Sequence, residues 1–172
     1  MMKLRGLTED GPLRTIPSQY RFRRPNVEVD EQRMNLTFET TRRAEFSETD
    51  LAGVVHFSNY FRWMEVAEHR MFRSIGLSVV QPDGDRTISW PRIKVACEYR
   101  GPIRFEDEVT IRLTITRMGS KSVAYDAAFE RDGQRLADGH VVMVCCEMRD
   151  GHFRSIDIPD DFRRRFETLN AR

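Results

Sequence analysis

Polar and apolar positions along the chain change period several times, and each change marks an element. From Leu36 to Phe46, Leu36, Phe38, Ala44 and Phe46 share one parity while Glu39, Arg43 and Glu45 share the other, which predicts a strand. From Ser58 or Asn59 to about Ile75 the pattern becomes helical. There Tyr60, Phe61, Trp63, Met64, Val66, Ala67, Met71, Phe72 and Ile75 leave only Arg62, Glu65, His69 and Arg73 as a polar stripe. A helix apolar over most of its girth is enclosed by other structure. Ser58 is the expected N-cap and Gly76 the expected C′ residue. Glu68 interrupts the apolar side, and the pattern places it at the rim of the core.

Gln81-Pro82-Asp83-Gly84-Asp85 reads as a turn-rich connection and Ile88 to Tyr99 as one long strand, with Pro91 marking an edge or an irregular entry. Three strands follow, Glu108 to Met118, Ser122 to Arg131 and Arg135 to Arg149, the last two joined by a tight Asp132-Gly133 turn and therefore antiparallel. Val123, Tyr125, Ala127 and Phe129 alternate with Ala124, Asp126, Ala128 and Glu130, so this strand buries one face. The run Val141 to Cys146 is apolar throughout, which predicts cover on both faces, one by the helix and one by another subunit. A short helix runs from Ile158-Pro159-Asp160-Asp161 to about Leu169. Residues 1–35 show no sustained period and read as a flexible or loosely docked extension, leaving one domain over 36–172.

Composition narrows the class. A chain of 172 residues with 32% charged and 10% aromatic residues holds one real core. A net charge of +1 argues against a nucleic-acid-binding surface, although local basic patches such as Arg21, Arg23 and Arg24 remain. No run reaches the ~18 apolar residues of a membrane helix, and no secretion signal opens the chain. Cys97, Cys145 and Cys146 lack metal-ligand spacing and read as reduced thiols of a cytoplasmic protein; no metal and no cofactor is expected.

The chemistry gathers between strand and helix, in the stretch from Phe46 to Tyr60. Asp50 offers a carboxylate, and Gly53 lets the loop fold back on itself. A helix start presents N–H groups without intrahelical partners, able to stabilise charge on a carbonyl oxygen. The N–H of Phe57 is the candidate donor and His56 a supporting imidazole. Asn59 and Tyr60 could orient a substrate or the acid loop, while Tyr60 could equally be a core aromatic. Asp50 has a turn-forming reading as well, because an aspartate ahead of a glycine commonly bonds its own backbone. Gly119-Ser120-Lys121-Ser122 supplies N–H groups, hydroxyls and an ammonium suited to pantetheine or phosphate, or simply closes a hairpin.

The spacing Thr49-Asp50-x-x-Gly53-Val54-Val55-His56-x-x-Asn59-Tyr60-x-x-x-x-Glu65-x-Ala67 resembles the signature of hotdog-fold acyl-CoA thioesterases of the hydroxybenzoyl-CoA thioesterase and YbgC-like branch. Glu98-Tyr99-x-x-Pro102-x-x-x-x-Asp107 and Gly119-Ser120-Lys121-Ser122 extend the likeness to about residues 37–165. Glu68 departs from it, standing where many relatives carry arginine. The resemblance implies an α+β hotdog fold, an antiparallel curved sheet wrapped around a long central helix. It further implies hydrolysis of an acyl-CoA thioester with Asp50 as nucleophile or general base, the Phe57 N–H on the thioester oxygen and His56 in support. Asn59, Tyr60, Ser120, Lys121 and Ser122 are the expected substrate contacts, and the expected assembly is a homodimer or homotetramer with sites at subunit contacts. Two other readings fit the fold: a hydratase or dehydratase acting on the acyl chain, and a non-catalytic acyl-CoA-binding module.

Overall fold

The computed structural model describes residues 32–149 and 152–171; the extension expected over 1–35 lies outside them except for its last four residues, which already form strand. The elements are β1 (Gln32–Arg43), α1 (Phe57–Ser74), β2 (Val80–Asp83), β3 (Arg86–Ser89), β4 (Arg92–Tyr99), β5 (Glu108–Met118), β6 (Ser122–Arg131), β7 (Gln134–Val144), β8 (Cys146–Arg149), β9 (His152–Ser155) and α2 (Asp160–Glu167). Five strands pair antiparallel in the order β1-β5-β6-β7-β4, and β2-β3-β8-β9 make a smaller second sheet.

One face of the larger sheet holds α1. Val123, Tyr125, Ala127 and Phe129 of β6 are fully buried, as their alternation predicts, and meet Trp63, Met64, Ala67, Met71 and Phe72 of the helix. At about 1.5–3 kcal/mol for each large apolar side chain removed from water, this single interface dominates the stability of the fold. Gly139 in β7 lets the helix approach, because a Cβ there would lie 2.2 Å from the Met64 sulfur. Irregularities in the β1/β5, β5/β6 and β4/β7 pairings bend the strands around the helix. The hotdog arrangement is thus present, with Arg62, Glu65, His69 and Arg73 on the open side of α1.

The ends of α1 are fixed differently from the expectation at one end and as expected at the other. His56, not Ser58, is the N-cap: its backbone is extended (φ −58, ψ 136) and its ring accepts from the N–H of Ser58, so the helix starts at Phe57, two residues before a Ser58 cap would start it. At the far end Gly76 (φ +72) donates to Arg73 O and Leu77 to Phe72 O, a Schellman closure. The guanidinium of Arg165 in α2 then donates to the carbonyls of Ile75 and Gly76, tying the C-terminal helix to the last turn.

Strand boundaries differ from the pattern at several places: β1 runs Gln32–Arg43 rather than Leu36 to Phe46, the chain turning into the short helix Phe46–Glu48. The stretch Ile88 to Tyr99 is two strands in two sheets, because Pro91 cannot donate to a ladder and the chain changes sheet there. Val80–Asp83, expected within a connection, pairs with β3 around a turn at Gly84, whose φ is +62. The last long strand breaks at Cys145, whose N–H bonds Lys121 O while its carbonyl accepts from Ile156. At this end of the apolar run the chain's own C-terminal segment pairs alongside, Cys146 opposite Ser155.

Glu68 is fully buried rather than at the rim. It is paired with the Arg92 guanidinium at 2.6 Å and accepts the Tyr125 hydroxyl at 2.7 Å. Burial pushes its carboxyl above the ordinary carboxylate range, and Arg92 and Tyr125 pull it back only partly.

Candidate active site

The segment 44–56 leaves β1, makes a one-turn helix at Phe46–Glu48 and returns to start α1. Its two ends are stitched to the turn before β5. Ala44 N–H donates to Asp107 O, Glu106 N–H to Ala44 O, and Val55 N–H to Ile103 O at 2.7 Å. Asp107 is itself held by Arg131 and accepts the Arg104 N–H at 2.7 Å, so the whole turn is rigid.

Asp50 stands at the tip. Its N–H bonds Val54 O, its carbonyl accepts from Gly53, and one carboxylate oxygen accepts the Ala52 N–H at 2.8 Å. The turn-forming reading of this aspartate therefore holds. It uses one oxygen and leaves the other without a partner among the described residues, and the side chain is exposed. Gly53 takes φ +71, a left-handed conformation that a side chain would strain, and this closes the loop.

Phe57 is the first residue of α1, and its N–H finds no acceptor among the described residues. That is the free donor at the positive end of a helix. His56 precedes it, with Nδ1 at 2.9 Å from the Ser58 hydroxyl and accepting from the Ser58 N–H. An accepting Nδ1 leaves Nε2 as the ring's N–H donor. Asn59 is buried and turns away from the loop tip, its amide donating to Glu48 O at 2.8 Å. Tyr60 is buried as well, with its ring against Tyr99 and Phe129. Burial pushes the hydroxyls of Tyr60 and Tyr99 up to about 12, so neither serves as a base near neutral pH.

Asp50 sits on the loop that leads directly into the helix start at His56 and Phe57, whereas the hairpin of Ser120, Lys121 and Ser122 does not join them within one chain. Ser122 pairs with Val144, Val144 N–H bonds Pro91 O, and the neighbouring Trp90 packs on Phe72 in the last turns of α1. The hairpin therefore lies at the far end of the helix. There Lys121 lines a cavity of about 530 Å³ with Arg86, Arg154, Ser155 and Asp157. Glu147 accepts from Arg86 at 3.2 Å and from Arg154 at 2.9 Å, which aligns the two guanidinium groups beside it.

Arg86 and Arg154 were missed by motif reasoning because they come from two short strands, far apart in sequence, that only the second sheet brings together. Glu48 was missed as well, though the Glu45–Glu48 spacing is that of a capping box. Among the described residues no group of three His, Cys, Asp or Glu gathers to hold a metal ion, and no helix is long and apolar enough to cross a membrane.

A family model for the thioesterase-like superfamily matches residues 44–166. A 1,4-dihydroxy-2-naphthoyl-CoA hydrolase from Synechococcus sp. (strain CC9605) is 30% identical over 106 residues, 59% of this chain and 71% of that protein. The 4-hydroxybenzoyl-CoA thioesterase of Pseudomonas sp. (strain CBS-3) is 28% identical over 132 residues, 70% of this chain and 91% of that one. Among solved structures, BH1999 gentisyl-coenzyme A thioesterase is 28% identical with a TM-score of 0.64, covering 75% of this chain and 99% of its own. Slr0204, a 1,4-dihydroxy-2-naphthoyl-CoA thioesterase from Synechocystis, shares the fold at 22% identity and a TM-score of 0.67, over 78% of this chain and 98% of that one. The family match runs from the first stitched residue of the acid loop to the helix that ties down the far end of α1, and the chain belongs to the thioesterase-like superfamily.

Proposed function

We propose that the chain hydrolyses an acyl-CoA thioester to the free acid and CoA, with Asp50 as the reactive carboxylate. The observation that carries this reading is an exposed aspartate on a stitched loop that leads straight into a helix start; among the described residues one of its oxygens and the helix's first N–H have no partner. The thioester oxygen would point to the Phe57 N–H, which favours the negative charge that develops there. Asp50 either attacks the carbonyl carbon, expelling CoA thiolate and leaving a mixed anhydride that water cleaves, or removes a proton from the water that attacks directly. His56 Nε2–H stands as a donor towards the departing sulfur or the acid.

The reading also needs a second copy of the chain. β4 ends the larger sheet, its outer edge is unpaired among the described residues, and Ile93, Val95 and Tyr99 along it are all more than 40% exposed. Antiparallel pairing of this strand with its copy sets the Tyr99 end of one chain against the Arg92 end of the other. The Asp50 loop lies at the first of these ends and the Ser120–Ser122 hairpin at the second, so a two-fold axis brings them together. Lys121, Arg86 and Arg154 of one chain would then receive the CoA phosphates while Asp50 of the other meets the thioester. Asn59 and Tyr60 act from beneath, holding the loop and the helix start. Three free thiols fit a reducing, cytoplasmic setting.

Hydroxylated aryl-CoA thioesters are the first substrates to try, because the naphthoyl, hydroxybenzoyl and gentisyl relatives named above act on them. Purified chain is incubated with a panel of aryl, short alkyl and long alkyl CoA thioesters, and thiol release is followed with a thiol reagent. Asp50→Asn is expected to fold and to lose about 100-fold or more in kcat. A folded Asp50→Asn with near-normal turnover refutes the assignment of Asp50, and hydration of the acyl chain without thiol release refutes the reaction.

A further inference from the structure

We propose that Glu48 is a positioning residue of this site, the point at which β1, α1 and the N-cap are joined beneath Asp50 and the Phe57 N–H. The inference rests on the hydrolase reading above and adds to it a residue that no motif contains. Five donors converge on Glu48. Its carboxylate accepts the Trp63 indole N–H from α1 at 2.8 Å, the Glu45 N–H at 2.9 Å and the Arg42 guanidinium from β1. Its carbonyl accepts the His56 N–H and the Asn59 amide, both at 2.8 Å. Arg42 also lies over the Trp63 ring, 5.1 Å from its centroid, so cation, carboxylate and indole form one closed cluster.

Asp50 has no comparable anchor. Among the described residues its side chain bonds only to Ala52 two residues on, and its main chain only to Val54 and Gly53 of the same turn. That turn is a rigid unit, and its orientation against α1 is set where the chain enters and leaves it. At the exit, the His56 N–H and the Asn59 amide both end on the Glu48 carbonyl; at the entry, the Glu48 carboxylate holds the chain to Trp63. One peptide plane and one side chain therefore tie the acid loop to α1, while the Val55 N–H bond to Ile103 O ties it to the turn before β5. Burial pushes the Glu48 carboxyl up, but the Glu45 N–H, the indole and Arg42 outweigh it and hold the group below its ordinary value, so it stays ionised.

A shift of about 1 Å in such a pair costs on the order of 100-fold in rate. The test is a cycle of Glu48→Gln and Asp50→Asn, read by thiol release from an acyl-CoA that the wild type hydrolyses, with circular dichroism and Tm on each variant. Glu48→Gln alone is expected to lower kcat by about 10- to 100-fold with KM held within about twofold. Added to Asp50→Asn it is expected to change kcat by less than about twofold, because a residue that acts through Asp50 has nothing left to position. Equal losses in both backgrounds would show a general structural role and overturn the inference, as would wild-type kcat in folded Glu48→Gln. Full activity of Asp50→Asn is a separate result that sinks the role assigned to Asp50, and absence of thiol release from every acyl-CoA by the wild type sinks the hydrolase assignment itself. Should Glu48→Gln not fold, Arg42→Met removes the cation while keeping the stem over Trp63. It is expected to lower kcat by about 3- to 10-fold, again only when Asp50 is present, and an unchanged kcat counts against Glu48.

Discussion

Gly139→Ala tests the closeness of helix and sheet that the whole site depends on. The added Cβ would come 2.2 Å from the Met64 sulfur, 3.2 Å from the Ala127 Cβ and 3.3 Å from the Met64 terminal methyl. Met64 is 1% exposed and Ala127 fully buried, so the thioether has no solvent to swing into and the helix must lift. Gly139 has no positive φ, and alanine meets no backbone strain to confuse the result. Overpacking of this kind costs about 1–3 kcal/mol. For a chain of this size each kcal/mol moves Tm by about 2–4 °C, so a fall of roughly 2–12 °C is expected by calorimetry. Met64 lies two turns from Phe57 on the same helix, so lifting it also displaces the Phe57 N–H, and if that N–H is the oxyanion donor proposed above, kcat should fall more than KM rises. Met64→Ala in the same chain should recover part of the loss, since each change then occupies room the other vacates. An unchanged Tm for Gly139→Ala would mean that the helix does not press on β7 as described.

Other consequences are quicker to state. Glu68, facing Arg92, Tyr125, Glu65 and His69, has its carboxyl raised from the ordinary 4.5 by burial. The folded chain therefore keeps a proton that the unfolded chain releases above that pH, and stability falls as pH rises from there; in Tm scans from pH 4 to 8, Glu68→Gln should gain on the wild type as pH increases, and a constant gap would contradict the raised value. Val95→Lys puts a charge on the exposed edge of β4 and should yield a folded monomer by light scattering. An unchanged dimer would remove that edge from the assembly, and a wild-type monomer would remove the assembly itself. Lys121→Ala and Arg154→Ala should each raise KM for a CoA thioester by about 5- to 20-fold while leaving the matching pantetheine thioester unaffected, and equal effects on both would place the phosphates elsewhere.

Much of this architecture is written locally. The strands Glu108 to Met118 and Ser122 to Arg131 match their predicted bounds because each alternates cleanly and ends at a turn residue; Asp132 and Gly133, both at positive φ, make the hairpin that their identities call for. What escaped the pattern depends on partners distant in sequence. Glu68 looked like a rim residue because its salvation, Arg92, comes from a strand 24 residues later. His56 displaced Ser58 as N-cap because a ring nitrogen served where a hydroxyl was expected, and the choice was decided by the Glu48 carbonyl holding the His56 N–H. The split at Pro91 and the break at Cys145 both belong to the second sheet, which no period in the sequence announces.

The exposure of the acid loop carries its own argument about assembly. Asp50 is open to water, Phe57 is 59% exposed, and Leu51, Phe46 and Phe105 around them are exposed apolar groups. In water two unit charges 4 Å apart interact by about 1 kcal/mol, against about 4 kcal/mol near a protein surface. A carboxylate and a helix N–H left in bulk solvent would therefore do little for a thioester, and the same pair covered by a second chain would do several-fold more in free energy. On the proposed reading, the site in one chain is incomplete until a second chain covers it. Turnover per chain should thus track the dimer fraction on dilution, and Val95→Lys should lose activity even with Asp50, Glu48 and His56 intact; a fully active monomer would mean that the loop is screened from water in some way other than by its copy.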